Sequence, residues 1–574
     1  MNNKWKLSLA SVALSVSLLG PGIAVYAADG SAVPVLAAAA GPSVKLTDLL
    51  DVELKSVLNQ KTETGTRLGV VVRLKNTGSA VTRVPDYEVR AETADGIQYT
   101  LKASAANARS LQAKSSTELS YLVDLDRMDE VTVTQVNWTD VDVYVYPKTE
   151  TVVASIPVQA EVWQGESSVI AKPEALKKWS DTFRIPGLTS PVQYTPVSIS
   201  KESTAAGTVY VVQLLASNPS ERRESIPAFS LDGKADSKVF SGSRVEQGAL
   251  TLEPGADKYI HYAIPTEQDT VLQSLNLLTP ETFADAGAAG VNVTSYAVGR
   301  LHILLPGEGE GTVATAYSLG TPIVFDAKSQ LVNPEMKVSV EEFYMHSNKE
   351  EGNKGVTATF KLTNTSKKPL AVPAFAADLV TKEGYEYAGS RQAIQTATVL
   401  PGSSVTVRYA FTVPASEKGE NLVLKVQDAV TAAPYKTAIA ALSTGLQKAE
   451  DNQWNLYPFN VKVNRWTLHS NYGPETGYAY VYKLKLDLSI NRAEDIQLDN
   501  TFPRILVEQY DSFDRLVGSG SATLYGQGRL VSGENLITLQ GASDMLDIRH
   551  KILIYEVFTT PNGEAKRLLG QYRQ

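Results

Sequence analysis

Imidazoles and thiols are side chains often used for metal binding and nucleophilic catalysis, and this chain offers few of them. The sequence contains no cysteine, which excludes disulfides, thiolate nucleophiles and cysteine-ligated zinc. Its five histidines are His261, His302, His346, His469 and His550. No two lie close in sequence, and none has the His-x-x-x-His spacing of a helical zinc site. We expect all five to be ordinary surface histidines.

Two serine motifs resemble those of hydrolases, but neither has the setting that the chemistry needs. Ser198–Lys201 matches Ser-x-x-Lys, yet the flanking residues predict a strand there and not the start of a helix. Gly518–Ser521 has the wrong register for a Gly-x-Ser-x-Gly elbow, and no Walker loop occurs. The sequence therefore predicts a protein that is not an enzyme. The alternative is an enzyme whose site combines residues from several domains.

Carboxylates cluster near the ends of predicted strands. The pairs are Asp124 with Asp126, Asp140 with Asp142, and Asp511 with Asp514. Loops of β-sandwiches can gather such groups around calcium, which prefers oxygen ligands. None of the pairs has the spacing of a known calcium loop. We expect solvated acids, and we predict no metal and no other cofactor.

Aromatic residues between Trp454 and Tyr482 give the best indication of a ligand. They are Trp454, Tyr457, Phe459, Trp466, Tyr472, Tyr478, Tyr480 and Tyr482. Exposed rings are good platforms for sugars and for proteins, because they supply contact area at low entropic cost. Tyr478, Tyr480 and Tyr482 share a strand face with leucines, so we expect them in the core or at its rim, and we expect Trp466 to be packed as well. Trp454, Tyr457 and Tyr472 remain as candidate ligand-binding residues.

A repeated strand organises the rest of the chain. Val70–Asn76 alternates apolar and polar residues, which is typical of a half-buried strand. Val212–Asn218 and Ala358–Asn364 repeat it, and in each copy a proline follows the asparagine nine residues later, at Pro85, Pro227 and Pro373. An aromatic residue stands two positions past each proline. We interpret the asparagine as a turn former.

A second anchor supports the repeat. Tyr121, Tyr262 and Tyr409 each follow a turn by eight residues, and the turn is Pro-Gly in the second and third copies. Copies this far apart indicate tandem domains and not a short-period solenoid. The stretch from about residue 452 is a divergent copy. It has Pro503 followed by Ile505 and Val507, but its asparagine is displaced and its Pro-Gly turn is missing.

These features resemble bacterial immunoglobulin-like modules, in particular the telokin-like and CARDB-type domains of exported Gram-positive proteins. The resemblance rests on a strand ending in Asn-Thr or Asn-Pro, a Pro-aromatic strand start, and a Pro-Gly turn before a tyrosine strand. It covers about 50 to 60 residues in each of three copies and less of the fourth. It implies a β-sandwich fold and carries no catalytic residues, since a fold does not fix a function.

The N-terminus predicts export. Lys4 and Lys6 precede a short apolar core from Leu7 to Leu19, and Val25–Ala27 is a small-residue cleavage site. The formal net charge is −8, and loss of the two lysines with residues 1–27 would make it −10. An acidic chain of this kind argues against nucleic acid and against anionic lipid as partners. No second apolar run is long enough to span a membrane.

The sequence as a whole predicts an all-β chain, a tandem array of immunoglobulin-like antiparallel β-sandwiches behind a signal peptide. The predicted ranges are 1–27 for the signal, 28–43 for a flexible leader, 44–190, 191–330 and 331–451 for domains 1 to 3, and 452–574 for a divergent domain 4.

For function, we expect a non-catalytic structural or adhesive protein that is secreted and acts extracellularly or at the cell surface. The alternative is a carbohydrate- or cell-wall-binding protein that uses the aromatic C-terminal domain. A protein or an envelope polysaccharide is the expected partner. Gly570–Gln574 carries no wall-sorting motif, so retention at the surface and simple release are both left open.

Overall fold

Antiparallel β-strands make up almost all of the regular structure. The computed structural model describes residues 43–158, 162–165, 168, 170, 173–204, 207–236, 238–287, 290–306, 314–348, 351–493, 496–543 and 549–573. Within these ranges the helical elements are two 3-10 turns, Pro173–Ala175 and Pro474–Thr476. The all-β prediction is confirmed. The predicted signal peptide and nearly all of the predicted leader lie outside the described residues, as does the acidic, glycine-rich stretch 307–311. The described residues from 43 onward belong to one compact unit.

The strands fall into four successive groups, which we call segments 1 to 4. Segment 1 contains β1 (Ser43–Lys45), β2 (Leu50–Thr62), β3 (Gly65–Asn76), β4 (Thr82–Arg83), β5 (Glu88–Thr93), β6 (Gln98–Ala103), β7 (Ser110–Leu111), β8 (Ser116–Leu125), β9 (Val133–Asp142), β10 (Thr149–Pro157) and β11 (Val162–Trp163). Segment 2 contains β12 (Leu176–Lys177), β13 (Gln193–Thr204), β14 (Gly207–Ser217), β15 (Glu224–Ser225), β16 (Ser230–Ala235), β17 (Lys238–Phe240), β18 (Ser243–Arg244), β19 (Thr251–Leu252), β20 (Asp257–Thr266), β21 (Ser274–Gly287) and β22 (Gly290–Leu304).

The other two groups follow the same plan. Segment 3 contains β23 (Thr315–Ala316), β24 (Met336–Asn348), β25 (Asn353–Asn364), β26 (Leu370–Ala371), β27 (Ala376–Val380), β28 (Glu386–Ala388), β29 (Ser390–Arg391), β30 (Thr398–Val399), β31 (Ser404–Pro414), β32 (Val423–Asp428) and β33 (Thr437–Ser443). Segment 4 contains β34 (Gln453–Leu456), β35 (Phe459–Asn471), β36 (Tyr480–Arg492), β37 (Arg504–Tyr510), β38 (Leu516–Ala522), β39 (Gly533–Ser543), β40 (Lys551–Thr560) and β41 (Gly563–Arg573).

Each segment is a β-sandwich in which several strand pairings recur, although segments 2 and 3 each have separate five- and four-stranded sheets, while segments 1 and 4 have one continuous sheet of nine and eight strands. One layer contains a three-strand sheet, which is β2–β3–β8 in segment 1, β13–β14–β20 in segment 2, β24–β25–β31 in segment 3 and β35–β36–β39 in segment 4. The other layer ends in a hairpin, which we call the terminal hairpin: β9–β10, β21–β22, β32–β33 and β40–β41. Apolar residues of both layers meet in one core per segment.

Two register shifts recur in all four segments. The first lies in the three-strand sheet, after Leu54, Pro196, Val340 and Val463. The second lies in the terminal hairpin, at the step that follows Trp138, Leu277, Val426 and Ile554. A bulge inserts one extra residue and bends its strand. The fourth segment carries both shifts even though its sequence is the most divergent.

The asparagine at the end of each repeated strand is a buried brace. The side-chain amide of Asn364 donates to the carbonyls of Lys368 (2.7 Å) and Val399 (2.8 Å), and its Oδ1 accepts from the N–H of Ser366 (2.8 Å). Asn76 and Asn218 make the equivalent bonds. The asparagine therefore forms the turn, as its residue type predicts, and also ties that turn to a second loop.

The cores reach upstream of the predicted domain starts. Phe183 and Ile185 lie in the core of segment 2, and Ile323 lies in the core of segment 3. The short strands β12 and β23 explain this, because each lies ahead of the predicted domain start and pairs in parallel with the terminal hairpin of its own segment. The stretch 174–182 contains one 3-10 turn and β12, and 268–278 leads into the strand β21.

Candidate functional site

Trp454 lies in the core of segment 4 and not on its surface. Its side chain is 1% exposed, and its indole N–H donates to the hydroxyl of Tyr572 (3.1 Å). It stands on β34, which pairs with β35 so that its apolar residues point inward. A buried ring cannot be a platform for a ligand, so the sequence-based choice of Trp454 is corrected.

Tyr457 lies where segments 3 and 4 meet. Its backbone N–H donates to Glu342 (3.0 Å), and its carbonyl accepts from the guanidinium of Arg408 (2.6 Å). The ammonium of Lys361 stands 5.7 Å from the centre of its ring. These contacts hold Tyr457 between two segments. The structure therefore places it in a joint and not in an open aromatic face.

Tyr472 is exposed, and it forms a cluster with two neighbours that the sequence analysis assigned to the core or its rim. The ring centres of Tyr472 and Tyr480 are 4.7 Å apart, and those of Tyr472 and Tyr478 are 6.1 Å apart. Tyr472 is 52% exposed and Tyr478 is 65% exposed, while Tyr480 is half-buried. We call Tyr472, Tyr478 and Tyr480 the tyrosine cluster.

The turn between β35 and β36 explains why Tyr478 escapes the core. Gly477 and Tyr478 have positive φ values of 64° and 60°, so the chain reverses before β36 begins at Tyr480. The hydroxyl of Thr476 braces this turn by accepting from the N–H of Gly473 (3.1 Å) and donating to the carbonyl of Ala479 (2.7 Å). Tyr478 is thus a turn residue, and the alternation that buries Tyr482 does not extend to it.

Chemically, the tyrosine cluster offers flat apolar ring surface together with hydroxyl groups. The exposed side chains of Asn471 and Glu475 stand on the same turn and can supply hydrogen bonds. Rings near polar groups are the usual means of holding a sugar or a peptide by stacking and hydrogen bonding. The arrangement suits binding, and nothing in it provides a nucleophile with a base.

The predicted carboxylate pairs are engaged in local contacts. Asp124 pairs with Arg67 (2.7 Å), Asp511 pairs with Arg515, and the Oδ1 of Asp142 accepts from the N–H of Tyr144. Among the described residues, no group of three or more acidic or histidine side chains is placed to hold a metal ion.

The expectation of five surface histidines is wrong for most of them. His261 is buried and bonds Glu246 through Nδ1 (2.6 Å), and His550 is buried beside Gln509. His302 is half-buried, and burial lowers its pKa. His346 lies against Gly355, and burial lowers its pKa to about 4. His469 is exposed.

Buried ion pairs join segment 3 to segment 4. The carboxylate of Glu556 lies between Arg408 (2.7 Å) and Arg567 (2.6 Å), and all three side chains are at most 3% exposed. Arg567 also approaches Glu342 (3.8 Å). Burial raises the pKa of Glu342. Burial alone would also raise the pKa of Glu556, but the charges of Arg567 and Arg408 lower it overall. The network pairs charges that would otherwise be buried alone.

The other two joints combine apolar and polar contacts. Between segments 1 and 2, Glu281 bonds Lys55 (3.0 Å) and Arg300 (2.7 Å), beside an apolar cluster of Leu58, Trp163, Leu278 and Val298. Between segments 2 and 3, Tyr259 donates to Asp326 (2.7 Å), and Glu202 accepts from the N–H of Lys436 (2.6 Å). Direct contacts therefore link each neighbouring pair of segments, and the polar contacts between segments 2 and 3 are partly buried.

Comparisons with known proteins add little to this geometry. No family model matches the chain. No curated protein matches it either. Among solved structures, it is similar to an uncharacterized beta-sandwich protein from Clostridium difficile 630, at 13% identity and a TM-score of 0.17, over 25% of this chain and 100% of that one. A likeness at this level says nothing about activity, so the β-sandwich assignment depends on the strands themselves. Within the described ranges, no helix is both long and apolar enough to cross a membrane.

Proposed function

We propose that this chain is an exported, non-catalytic structural and adhesive protein, built from tandem immunoglobulin-like sandwiches and acting extracellularly or at the cell surface. The observation that carries the proposal is the buried network of Arg408, Glu556 and Arg567. A flexible string of independent binding modules has no need of such a joint, whereas a spacer that holds its parts in fixed geometry does. The charged N-terminal start and apolar run of residues 1–27 support export.

Two measurements on the full chain test this proposal. Small-angle scattering of the mature protein should fit one rigid particle, because direct contacts link each neighbouring pair of segments. A profile that requires a broad ensemble of segment orientations would contradict it. Fractionation of the producing cell should place the protein in the medium or the envelope, with its N-terminus at or near Ala28. Uncleaved protein in the cytosol would contradict the export part of the proposal.

A second candidate function is carbohydrate or cell-wall binding through the tyrosine cluster, and the exposure of Tyr472 and Tyr478 supports it. The test is sedimentation of the full chain with peptidoglycan and with purified wall polysaccharide. Tyr472→Ala with Tyr478→Ala should weaken binding by about tenfold or more, since stacking on each ring contributes on the order of 1 kcal/mol. Tyr385→Ala, a change at an exposed single tyrosine of segment 3, is the matched control and should bind as the wild type does. Equal binding of all three proteins would remove this candidate.

A further inference from the structure

In segments 2, 3 and 4 the terminal hairpin or its loop contacts the preceding segment, beside contacts from other elements such as Asp326 and Tyr457. In segment 2 it supplies Glu281 and Arg300 to segment 1, and in segment 4 it supplies Glu556 and Arg567 to segment 3. In segment 3 the loop of the hairpin supplies Tyr435, which packs on Val209, Val211 and Ala263 of segment 2. The contacted surface is in every case the outer side of the preceding three-strand sheet.

The joint between segments 1 and 2 and the joint between segments 3 and 4 share a backbone hydrogen bond at equivalent positions. The N–H of Ala105 donates to the hairpin carbonyl of Ala284 (2.8 Å), and the N–H of Ala393 donates to that of Thr559 (2.9 Å). Ala105 and Ala393 hold equivalent places, two residues beyond the strand residue that pairs with Tyr121 or Tyr409. The same docking geometry is therefore used more than once along the chain.

Segment 1 has the same hairpin, but no segment precedes it in the described structure. Its hairpin β9–β10 has the recurrent register shift and carries Val143, Tyr144, Val145 and Tyr146 at its tip. Tyr144 is 97% exposed and Tyr146 is 102% exposed, and both valines are exposed as well. Four successive exposed valine and tyrosine side chains at a hairpin tip are characteristic of an interaction site.

Segment 4 presents the complementary half of a joint. The inner side of β36 is buried through Tyr482, Leu484 and Leu486, but the outer side of its three-strand sheet is open at Lys483, Leu536 and Thr538. On the outer side of segment 3 the corresponding sheet buries Thr359 and Arg408 completely, beneath the hairpin of segment 4. The sheet of segment 4 is the one three-strand sheet of the described structure for which no following hairpin is present.

The two open surfaces have opposite charge. Basic side chains outnumber acidic ones on the outer side of the sheet of segment 4, which carries Lys462, Arg465, Lys483 and Lys485 against Asp487 and Glu534. Acidic side chains outnumber basic ones around the hairpin tip of segment 1, which carries Asp140, Asp142 and Glu150 against Lys148 and Arg90, both of which pair with Glu150. Opposite charges favour encounter and fix orientation.

We propose that the chain associates head to tail, with the terminal hairpin of segment 1 docking on the three-strand sheet of segment 4 in a second copy. Such a contact is heterologous, so it builds an open filament unless its rotation closes a ring. The proposal rests on continuity with the joints inside the chain and on the complementary charges. It does not depend on export or on sugar binding, so the tests of those functions and of this one can fail separately.

Sedimentation velocity of the full mature chain over a wide concentration range tests the proposal. We expect the mass to rise with concentration and the rise to weaken at high salt, because charge contributes to the contact. Tyr144→Ser with Tyr146→Ser should remove association, and so should Lys483→Glu with Leu536→Glu. All four side chains are exposed, so both variants should keep the melting temperature of the wild type. Tyr385→Ser, on an exposed surface outside both faces, should associate normally.

Mixing the two double variants gives the sharpest outcome. Each keeps one intact face, so the mixture should form pairs and stop there, whereas the wild type continues to larger assemblies. A wild-type chain that stays monomeric at every concentration would overturn the proposal, and so would association that neither double variant affects. Cosedimentation of the monomeric chain with phosphatidylcholine vesicles, lost on changing Tyr144 and Tyr146, would assign the hairpin to a lipid surface and also overturn it.

Discussion

The guanidinium of Arg408 lies 2.7 Å from the carboxylate of Glu556, and both side chains are completely buried, although one belongs to segment 3 and the other to segment 4. A charge at this depth is tolerated only while its partner is present, since burying an ion without compensation costs several kcal/mol. The folding of segment 4 and its attachment to segment 3 are therefore linked.

Arg408→Ala should lower the free energy of unfolding by about 3–5 kcal/mol, because it leaves Glu556 with one of its two cationic partners. Lys425→Ala removes a partly exposed pair with Glu386 and should cost no more than about 1 kcal/mol. Urea unfolding followed by tryptophan fluorescence compares the two. Equal midpoints for both variants would show that the buried network does not stabilise the joint.

Asn364→Ala should also destabilise the chain, for a different reason. The change leaves the carbonyls of Lys368 and Val399 without their amide donor, and each unsatisfied buried group costs about 1–3 kcal/mol. Asn460 stands exposed on β35, so Asn460→Ala is the control and should change little. Thermal unfolding is sufficient to separate them. If the melting temperature falls no further in Asn364→Ala than in Asn460→Ala, the hydrogen bonds of Asn364 do not stabilise the chain.

His346 should make stability fall as the solution becomes acidic. Its pKa is about 4 in the folded chain against an ordinary value of 6.5, so the folded state binds the proton less readily than the unfolded state does. The contribution of His346 to the free energy of unfolding is complete above pH 6.5. It falls as the pH drops through that value and is lost by about pH 4. The charge of Arg567 adds to the effect of burial.

The measurement is the urea midpoint at pH 7 and at pH 4.5. His346→Gln should flatten the dependence on pH relative to the wild type, while His469→Gln, at an exposed position, should leave it unchanged. The raised pKa of Glu342 acts in the opposite direction, but it is present in every variant, so the comparison isolates His346. An unaltered slope in His346→Gln would contradict the assignment.

Trp454 and Tyr478 should respond to substitution in opposite ways. Trp454→Ala removes a fully buried ring and should cost about 3–5 kcal/mol of stability. Tyr478→Ala removes an exposed ring at a turn and should change stability little, while it weakens any ligand bound to the tyrosine cluster. Parallel melting curves and ligand titrations show both effects. Stability loss in Tyr478→Ala comparable to that in Trp454→Ala would place Tyr478 in the core after all.

The inward faces of the strands were predictable because they follow local alternation. Leu74, Leu214 and Leu362 are all fully buried at equivalent places, as the spacing of the repeat requires. Tyr121, Tyr262 and Tyr409 likewise pair with equivalent residues of the repeated strand. Alternation with period two is a property of a single strand, so one sequence suffices to read it.

The outer faces were not predictable, because their burial depends on the next segment. The side chain of Val71 points away from the core of segment 1, yet it is buried. On the same face of β3, the guanidinium of Arg73 donates to the carbonyl of Gly187. Val211 is likewise buried on the outer face of its strand, in the cluster that receives Tyr435 of the next segment. Contacts across a hundred residues or more leave no local pattern, and this is also why Tyr457 could not be recognised as part of a joint.

The chemical differences among the joints restrict how the chain can be rearranged. Segment 2 receives its neighbour on Val209 and Val211, whereas segment 3 receives its neighbour on Arg408. Deleting one segment, or exchanging two, would place the aliphatic patch of Val209 and Val211 against the carboxylate of Glu556. It could also leave the guanidinium of Arg408 buried without a counter-ion. The four segments are therefore not interchangeable. Any rearrangement of them must change a terminal hairpin and the three-strand sheet that it contacts together.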